Sequence, residues 1–421
     1  MTKENLIASN LSEVFFNRFF SDWKDLSVGD FLDYLGSKMD QLITFTELEK
    51  KINSGKKLSI KFGIDPTGPD VHLGHLLPIF VLRQFQKAGH QIHLIIGDFT
   101  AMIGDPSGRN DQRPPLSESD VKKNAKTYFD QIEKYLSLSK VKKHFNSKWL
   151  NKLSFEDILR DLQKMNLSEV LQREDFRSRL KEGHSLMVSE LLYSYAQGID
   201  SVELNPDIEI GGRDQLLNFA QGRTIMQIRG QEPEVAFTTP VLEGIAGDGR
   251  KMSKSYGNYI AVNSSVEDKF GKLMSIPDNL LEMYFKAFAD IKESELNHLQ
   301  NLIAQDPFEV KKQLAQFFVS VEEKSLEAGL REREKFENRF SKGVYDNQIE
   351  VLTAKNGSTF FDVIAGFGVI QSKSELHRLF SQESIKMVKP EEKIIKEEDL
   401  VSNCIIKIGK TKFFKIEIFE K

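Results

Sequence analysis

Two short stretches of the chain carry residue types suited to handling phosphate. The first is His72-Leu73-Gly74-His75. Imidazoles three residues apart share one face of a helix. Gly74 leaves room for a nucleotide close to the backbone, and a helix N-terminus offers free N–H groups and positive potential. The same pair could hold zinc, but the HExxH carboxylate is missing and no cysteine cluster accompanies it. The second stretch is Lys251-Met252-Ser253-Lys254-Ser255, flanked by Gly247, Gly249 and Gly257. Two ammonium groups three residues apart can converge on a polyphosphate and offset charge that builds in a transition state. The glycines suit a mobile loop that closes after substrate binds. A solvated basic loop is the alternative for the lysine pair taken alone.

These residues need elements to position them. Leu58, Ile60, Phe62 and Ile64 alternate with Ser59, Lys61 and Gly63, which is strand periodicity. Asp65 to Asp70, DPTGPD, must be a loop. Leu73, Leu76, Leu77, Phe80, Val81 and Phe85 recur at helical spacing, and Gly89 suits the end of that helix. Ile92 to Phe99 reads as the next strand. Strand, loop, helix, strand is a right-handed crossover unit of a parallel sheet. Asp207 to Ile210 is a short strand, and Gly211-Gly212 opens the following helix. Val235 to Leu242 returns to β character, with Pro240 placing it at a sheet edge or a strand end.

The expected organisation is an N-terminal helical segment over 1–57 and a parallel-sheet domain over 58–264. A polar loop covers 104–115 and a charged helical insertion about 117–197. An α-helical region follows over 265–345, then a linker over 346–358 and a C-terminal domain of two short helices and β segments over 359–421.

Composition sets the outer bounds. With 421 residues, 40% apolar and 29% charged, the chain is an ordinary globular protein of two or three domains. No apolar run reaches the roughly 18 residues of a membrane helix, and the opening residues do not resemble a secretory signal. The single cysteine, Cys404, excludes an internal disulfide and fits a reducing compartment. A net charge of -4 means that any nucleic-acid contact must come from local basic patches. The 31 phenylalanines, against 9 tyrosines and 2 tryptophans, read as core filling. His90, His93, His144, His184, His298 and His377 show no ligand spacing and read as structural or exposed.

Taken together, HLGH and KMSKS resemble the paired signatures of class I aminoacyl-tRNA synthetases. KFGIDPTGPDVHLGH, IGDFTAMIGDPSGR, QGIDSVEL, IGGRDQ and KMSKSYGNY occur in an order similar to that of bacterial tyrosyl-tRNA synthetases, from about residue 45 to 345. Lys61 matches the branch of that family with lysine in its first strand. Ile199 stands where tyrosine is usual and adds an apolar wall beside Asp200.

The resemblance implies a Rossmann-type catalytic domain of the α/β class, followed by an α-helical tRNA-binding domain and a small α+β RNA-binding domain. It implies activation of tyrosine with ATP and magnesium to tyrosyl-adenylate, then transfer to the 3′ end of tRNA(Tyr), by a cytoplasmic homodimer without membrane attachment. Thr67, His72, His75, Lys251 and Lys254 would handle the phosphates. Gly63, Asp65, Gly74, Gly212, Asp214, Met252 and Ser253 would surround ATP or the adenylate. Asp105, Tyr193 and Gln197 would hold the tyrosine ammonium, with Gln215 near the substrate, and Asp200 would accept from the phenol. Tyr193, Gln197 and Asp200 fall at helical spacings of four and three. Asp214 could serve only as a first-turn acid of its helix.

The C-terminal residues resemble a small RNA-binding domain shared with a ribosomal small-subunit protein. Ser372, Lys373, Ser374, Glu375 and Arg378 fit its helix pair, while the turns around SQESIKMVKP depart from it. Lys407, Lys410, Lys412 and Lys415 are available for phosphate contacts. Three alternatives stand beside this reading: a tryptophanyl relative, another HxGH nucleotidyltransferase, and a catalytically idle homologue that binds RNA.

Overall fold

A computed structural model of the chain describes residues 10–21, 27–105, 117–171, 174–291, 293–340, 350–370, 372–391, 393–409 and 412–419. Its first compact unit spans Met1–Glu332 and its second Arg333–Lys421.

The first unit is built on β1 (Gln41–Ile43), β2 (Ser59–Ile64), β3 (Gln91–Ile96), β4 (Val141–Phe145), β5 (Ile208–Gly212) and β6 (Val235–Thr239). They lie side by side in the order β1-β6-β5-β2-β3-β4. All neighbours are parallel except β1, which runs antiparallel to β6 with Leu42 opposite Phe237. The five parallel strands, taken from β4, follow the order 3-2-1-4-5, the first five positions of the Rossmann order 3-2-1-4-5-6. The strand order reverses between β2 and β5, and the ends of these strands frame a crevice there. The helix Leu73–Lys87 makes the crossover from β2 to β3 and buries Leu73, Leu76, Phe80 and Phe85.

Lys61 occupies the polar position of the β2 alternation, yet it is fully buried. A central parallel strand is covered by helices on both faces, so its second face is not a solvent face.

Several boundaries differ from expectation. The N-terminal segment is not purely helical, because Gln41–Ile43 supplies the edge strand β1. The insertion over 117–197 contributes β4 to the sheet. β6 is an interior strand, and Pro240 lies just past its end, where its missing N–H costs no ladder bond. Gly211 and Gly212 finish β5; a single tight turn, Arg213–Gln215, precedes the helix Leu216–Ile228. Of the expected polar loop, residues 106–115 lie outside the described residues.

Phenylalanines weld the first unit together. The Phe15 ring lies 5.7 Å from Phe285 and 6.3 Å from Phe317. Phe288 lies 5.4 Å from Phe80 and 4.9 Å from Phe318. Arg18 clamps Glu295 through both terminal nitrogens, at 2.7 and 2.6 Å. The N-terminal helix and the helices beyond residue 265 thus share one core.

The second unit has a five-stranded sheet of β7 (Val351–Lys355), β8 (Ile385–Lys389), β9 (Lys393–Ile394), β10 (Cys404–Ile408) and β11 (Lys412–Phe419), in the order β7-β11-β10-β8-β9. β7 runs parallel to β11 within the stretch expected to be linker. Its alternation buries Leu352 and Ala354 and exposes the residues between, which explains why a polar-looking segment is a strand. Helices Phe360–Gly366 and Lys373–Ser381 add Phe360, Ile364, Leu376 and Phe380 to a core shared with Ile385, Cys404, Ile406 and Ile416. Lys410 lies outside the described residues.

Candidate active site

The crevice at the strand-order reversal is a cavity of about 280 Å³. Every residue proposed above for ATP, adenylate or amino-acid contact lines it, from Gly63 on β2 to Lys254 on the far loop.

The end of β2 delivers Asp65. Its carboxylate accepts from Thr100 Oγ1 at 2.7 Å and from the Tyr193 hydroxyl at 2.9 Å. Burial pushes the Asp65 carboxyl up to about 7, against the pull of these two donors. Gly97, at the end of β3, makes the arrangement possible. A Cβ there would stand 2.0 Å from Asp65 Oδ1 and 2.2 Å from Thr100 Oγ1.

Asp200 sits on the helix Tyr193–Leu204, one side of which also presents Tyr193 and Gln197 to the cavity. The Trp149 indole N–H donates to Asp200 at 2.7 Å, and Asn146 Nδ2 donates at 3.3 Å. Burial raises the Asp200 carboxyl to about 7, while Lys61 and the two donors oppose the shift. Asn146 Nδ2 also donates to Thr100 Oγ1 at 3.1 Å. A chain of hydrogen bonds therefore joins Asp65, Thr100, Asn146 and Asp200. Ile199 packs with Trp149, Leu150 and Tyr195, an apolar wall behind Asp200. On the opposite side, Gln215 Nε2 donates to Asp105 at 2.7 Å.

The two histidines begin the crossover helix. His72 is its N-cap residue in extended conformation, and its backbone N–H donates to His75 Nδ1 at 3.2 Å. The rings stack with centroids 3.7 Å apart. Burial, reinforced by Lys254 and Lys251, lowers His72 to about 3, so its imidazole is neutral at neutral pH. A Cβ on Gly74 would stand 3.1 Å from the His72 ring, so the glycine accommodates the stack as well as the cavity.

The lysine loop reaches the same place from the other side. Lys251 Nζ pairs with Asp214 at 3.1 Å. Lys254 Nζ donates to the Tyr128 hydroxyl at 3.4 Å and lies over that ring. Asn258 holds the loop's form: its Oδ1 accepts from the Ser253 N–H at 2.9 Å and its Nδ2 donates to the Lys251 carbonyl at 3.2 Å. Met252 is buried, and its N–H donates to the Leu242 carbonyl at 2.8 Å. The paired cations beside the neutral His72 imidazole make one positive rim; the carboxylates and amides of the deeper pocket make an acceptor-rich floor.

Sequence reasoning missed Gly97, Thr100, Asn146, Trp149 and Asn258. Gly97 and Thr100 lie inside the IGDFTAMIGD stretch, and Asn258 inside KMSKSYGNY, so position within a motif was their signal. Trp149 and Asn146 follow β4, the strand that periodicity did not separate from its helical surroundings.

Residues 23–340 match the family of class I tRNA synthetases for tryptophan and tyrosine. A tyrosine–tRNA ligase of Thermotoga maritima is 40% identical over 386 residues, covering 89% of this chain and 94% of that protein. One from Mannheimia succiniciproducens is 37% identical over 382 residues, covering 90% and 96%. Among solved structures, the C-terminally truncated mitochondrial tyrosyl-tRNA synthetase of Aspergillus nidulans superposes with a TM-score of 0.62 at 22% identity, over 78% of this chain and 99% of that one. The tyrosyl-tRNA synthetase of Archaeoglobus fulgidus complexed with L-tyrosine gives 0.57 at 23% identity, over 73% and 100%. These two likenesses support the fold.

Proposed function

The chain belongs to the class I tyrosyl-tRNA synthetase family and is a tyrosine–tRNA ligase using ATP, and on that premise we propose how its cleft does the work. Tyrosine lies on the acceptor-rich floor. Its phenol donates to Asp200, and its ammonium is held among Tyr193, Gln197 and Asp105, with Gln215 bracing Asp105. ATP lies across the rim, with its phosphates near Thr67, His72, His75, Lys251 and Lys254. Gly63, Asp65, Gly74, Gly212, Asp214, Met252 and Ser253 surround the adenylate. Magnesium arrives with ATP as part of the substrate.

The tyrosine carboxylate attacks the α-phosphorus, the bond to the β-phosphate oxygen breaks, and pyrophosphate leaves. The nucleophile is already an anion, so no general base is needed. The protein's contribution is placement and stabilisation of developing charge. A terminal ribose hydroxyl of tRNA(Tyr) then attacks the adenylate carbonyl and releases AMP. The carrying observation is that both phosphate motifs and the amino-acid residues line one cavity.

Pyrophosphate exchange with tyrosine, tryptophan and phenylalanine in parallel, followed by charging of tRNA(Tyr), tests this reading. Exchange with tyrosine alone is expected; preference for tryptophan would overturn it.

The helices beyond residue 265 and the second unit are proposed to hold the tRNA, with Lys407 and Lys415 offering phosphate contacts. A homodimer is proposed as well. Exposed apolar side chains between 155 and 188, among them Phe155, Leu167 and Val188, support it. A cytoplasmic location is part of the same proposal; among the described residues, no helix is long and apolar enough to cross a membrane.

A further inference from the structure

Beneath the amino-acid pocket lies a buried charged cluster to which the reading above gives no role. Lys61 Nζ pairs with Glu209 Oε1 at 2.8 Å. It also donates to Ser201 Oγ at 2.6 Å and to the Gln197 carbonyl at 3.2 Å. Ser201 in turn donates to Glu234 at 2.8 Å. Burial works against the charge on Lys61, but Glu209, Glu234 and Asp200 outweigh it and hold the ammonium above the ordinary lysine value. Glu209 lines the cavity, and Gln197 Nε2 donates to its Oε1 at 3.1 Å.

An ion-paired carboxylate only accepts hydrogen bonds. A carboxamide beside it must therefore turn its NH₂ toward it and its oxygen the other way. We propose that Glu209 is a positioning residue for tyrosine: held by Lys61, it fixes the Gln197 carboxamide with its oxygen toward the cavity, ready to accept from the substrate ammonium. The same carboxamide, flipped, would present N–H groups to a cation. The inference rests on Gln197 being an ammonium contact, and it adds the residue that sets the polarity of that contact.

The experiment compares equilibrium binding of tyrosine with that of 3-(4-hydroxyphenyl)propanoate, which keeps the phenol and carboxylate but lacks the ammonium. In Glu209→Gln, tyrosine binding is expected to weaken about tenfold while the desamino acid stays within about twofold of wild type. Urea unfolding of Glu209→Gln, with a midpoint well above the binding conditions, guards against misfolding of the variant. Gln197→Ala should itself weaken tyrosine binding, and Glu209→Gln should add nothing in that background. Equal losses for both ligands, or no loss for tyrosine, would overturn the role of Glu209. Additive losses in the double variant would do the same. An unaltered tyrosine affinity in Gln197→Ala would instead overturn the pocket reading, and the inference with it.

Discussion

The indole N–H of Trp149 donates to Asp200 at 2.7 Å, so a residue just after β4 fixes the acid proposed to receive the tyrosine phenol. Trp149→Phe keeps the apolar bulk and removes that donor. The expected results are a stability loss of about 1–3 kcal/mol and a smaller preference for tyrosine over phenylalanine. Denaturant unfolding and pyrophosphate exchange read the two effects separately.

Asp200→Ala removes the proposed acceptor itself. A buried carboxylate facing a phenylalanine ring has no donor from the ligand, which penalises the wrong amino acid. The variant should lose most of its discrimination, measured as the ratio of kcat/KM for the two amino acids; an unchanged ratio would remove Asp200 from the phenol site. Tyrosyl-tRNA synthetase is itself a standard illustration of this kind of selectivity.

Lys254→Ala should slow adenylate formation by about 10²-fold or more, because its proposed role is that of a transition-state donor. Tyrosine affinity should be nearly unchanged, since the proposed place of Lys254 is beside the phosphates. Single-turnover activation and equilibrium tyrosine binding check both halves.

Stability should fall as pH rises through the weakly acidic range. The Asp65 and Asp200 carboxyls titrate at about 7 in the folded protein, against an ordinary value of 3.8. Between these limits the folded chain keeps protons that the unfolded chain has lost, so raising pH favours unfolding until both acids are ionised. Asp200→Asn removes one of the two contributions. Its stability relative to wild type, from urea unfolding, should improve between about pH 4 and pH 7.

Gly97→Ala should destabilise the protein by about 1–3 kcal/mol or more, because the new methyl group meets Asp65 and Thr100 rather than open space. Thermal unfolding and tyrosine binding should both report the damage.

The core of the sheet was legible because β2 and β3 carry long apolar patterns around a recognisable loop and helix. β1 and β4 were hidden for opposite reasons. Gln41–Ile43 is too short for periodicity to register, and Val141–Phe145 carries Lys142, Lys143 and His144, a charged edge strand that reads as helical surroundings. The cavity lining was legible where its residues sit in contiguous motifs, at His72, His75, Lys251 and Lys254. Asp200 was proposed through a resemblance, but the groups that hold it in the structure were not anticipated. Asn146 and Trp149 meet it only through tertiary packing, 54 and 51 positions away in the chain. Lys61 shows the limit of the alternation argument: a period of two marks which residues share a face, and leaves open whether that face meets water.

The backbone of Gln41 bonds to the Thr238 side chain across 197 positions of chain. On a ribosome, the amino-terminal strand must therefore wait, unpartnered, until β6 has emerged before it can add itself to the sheet. Its late arrival makes edge closure a non-local step of the kind that slows assembly, and deleting residues up to Ile43 would leave β6 as a bare border open to pairing with another polypeptide.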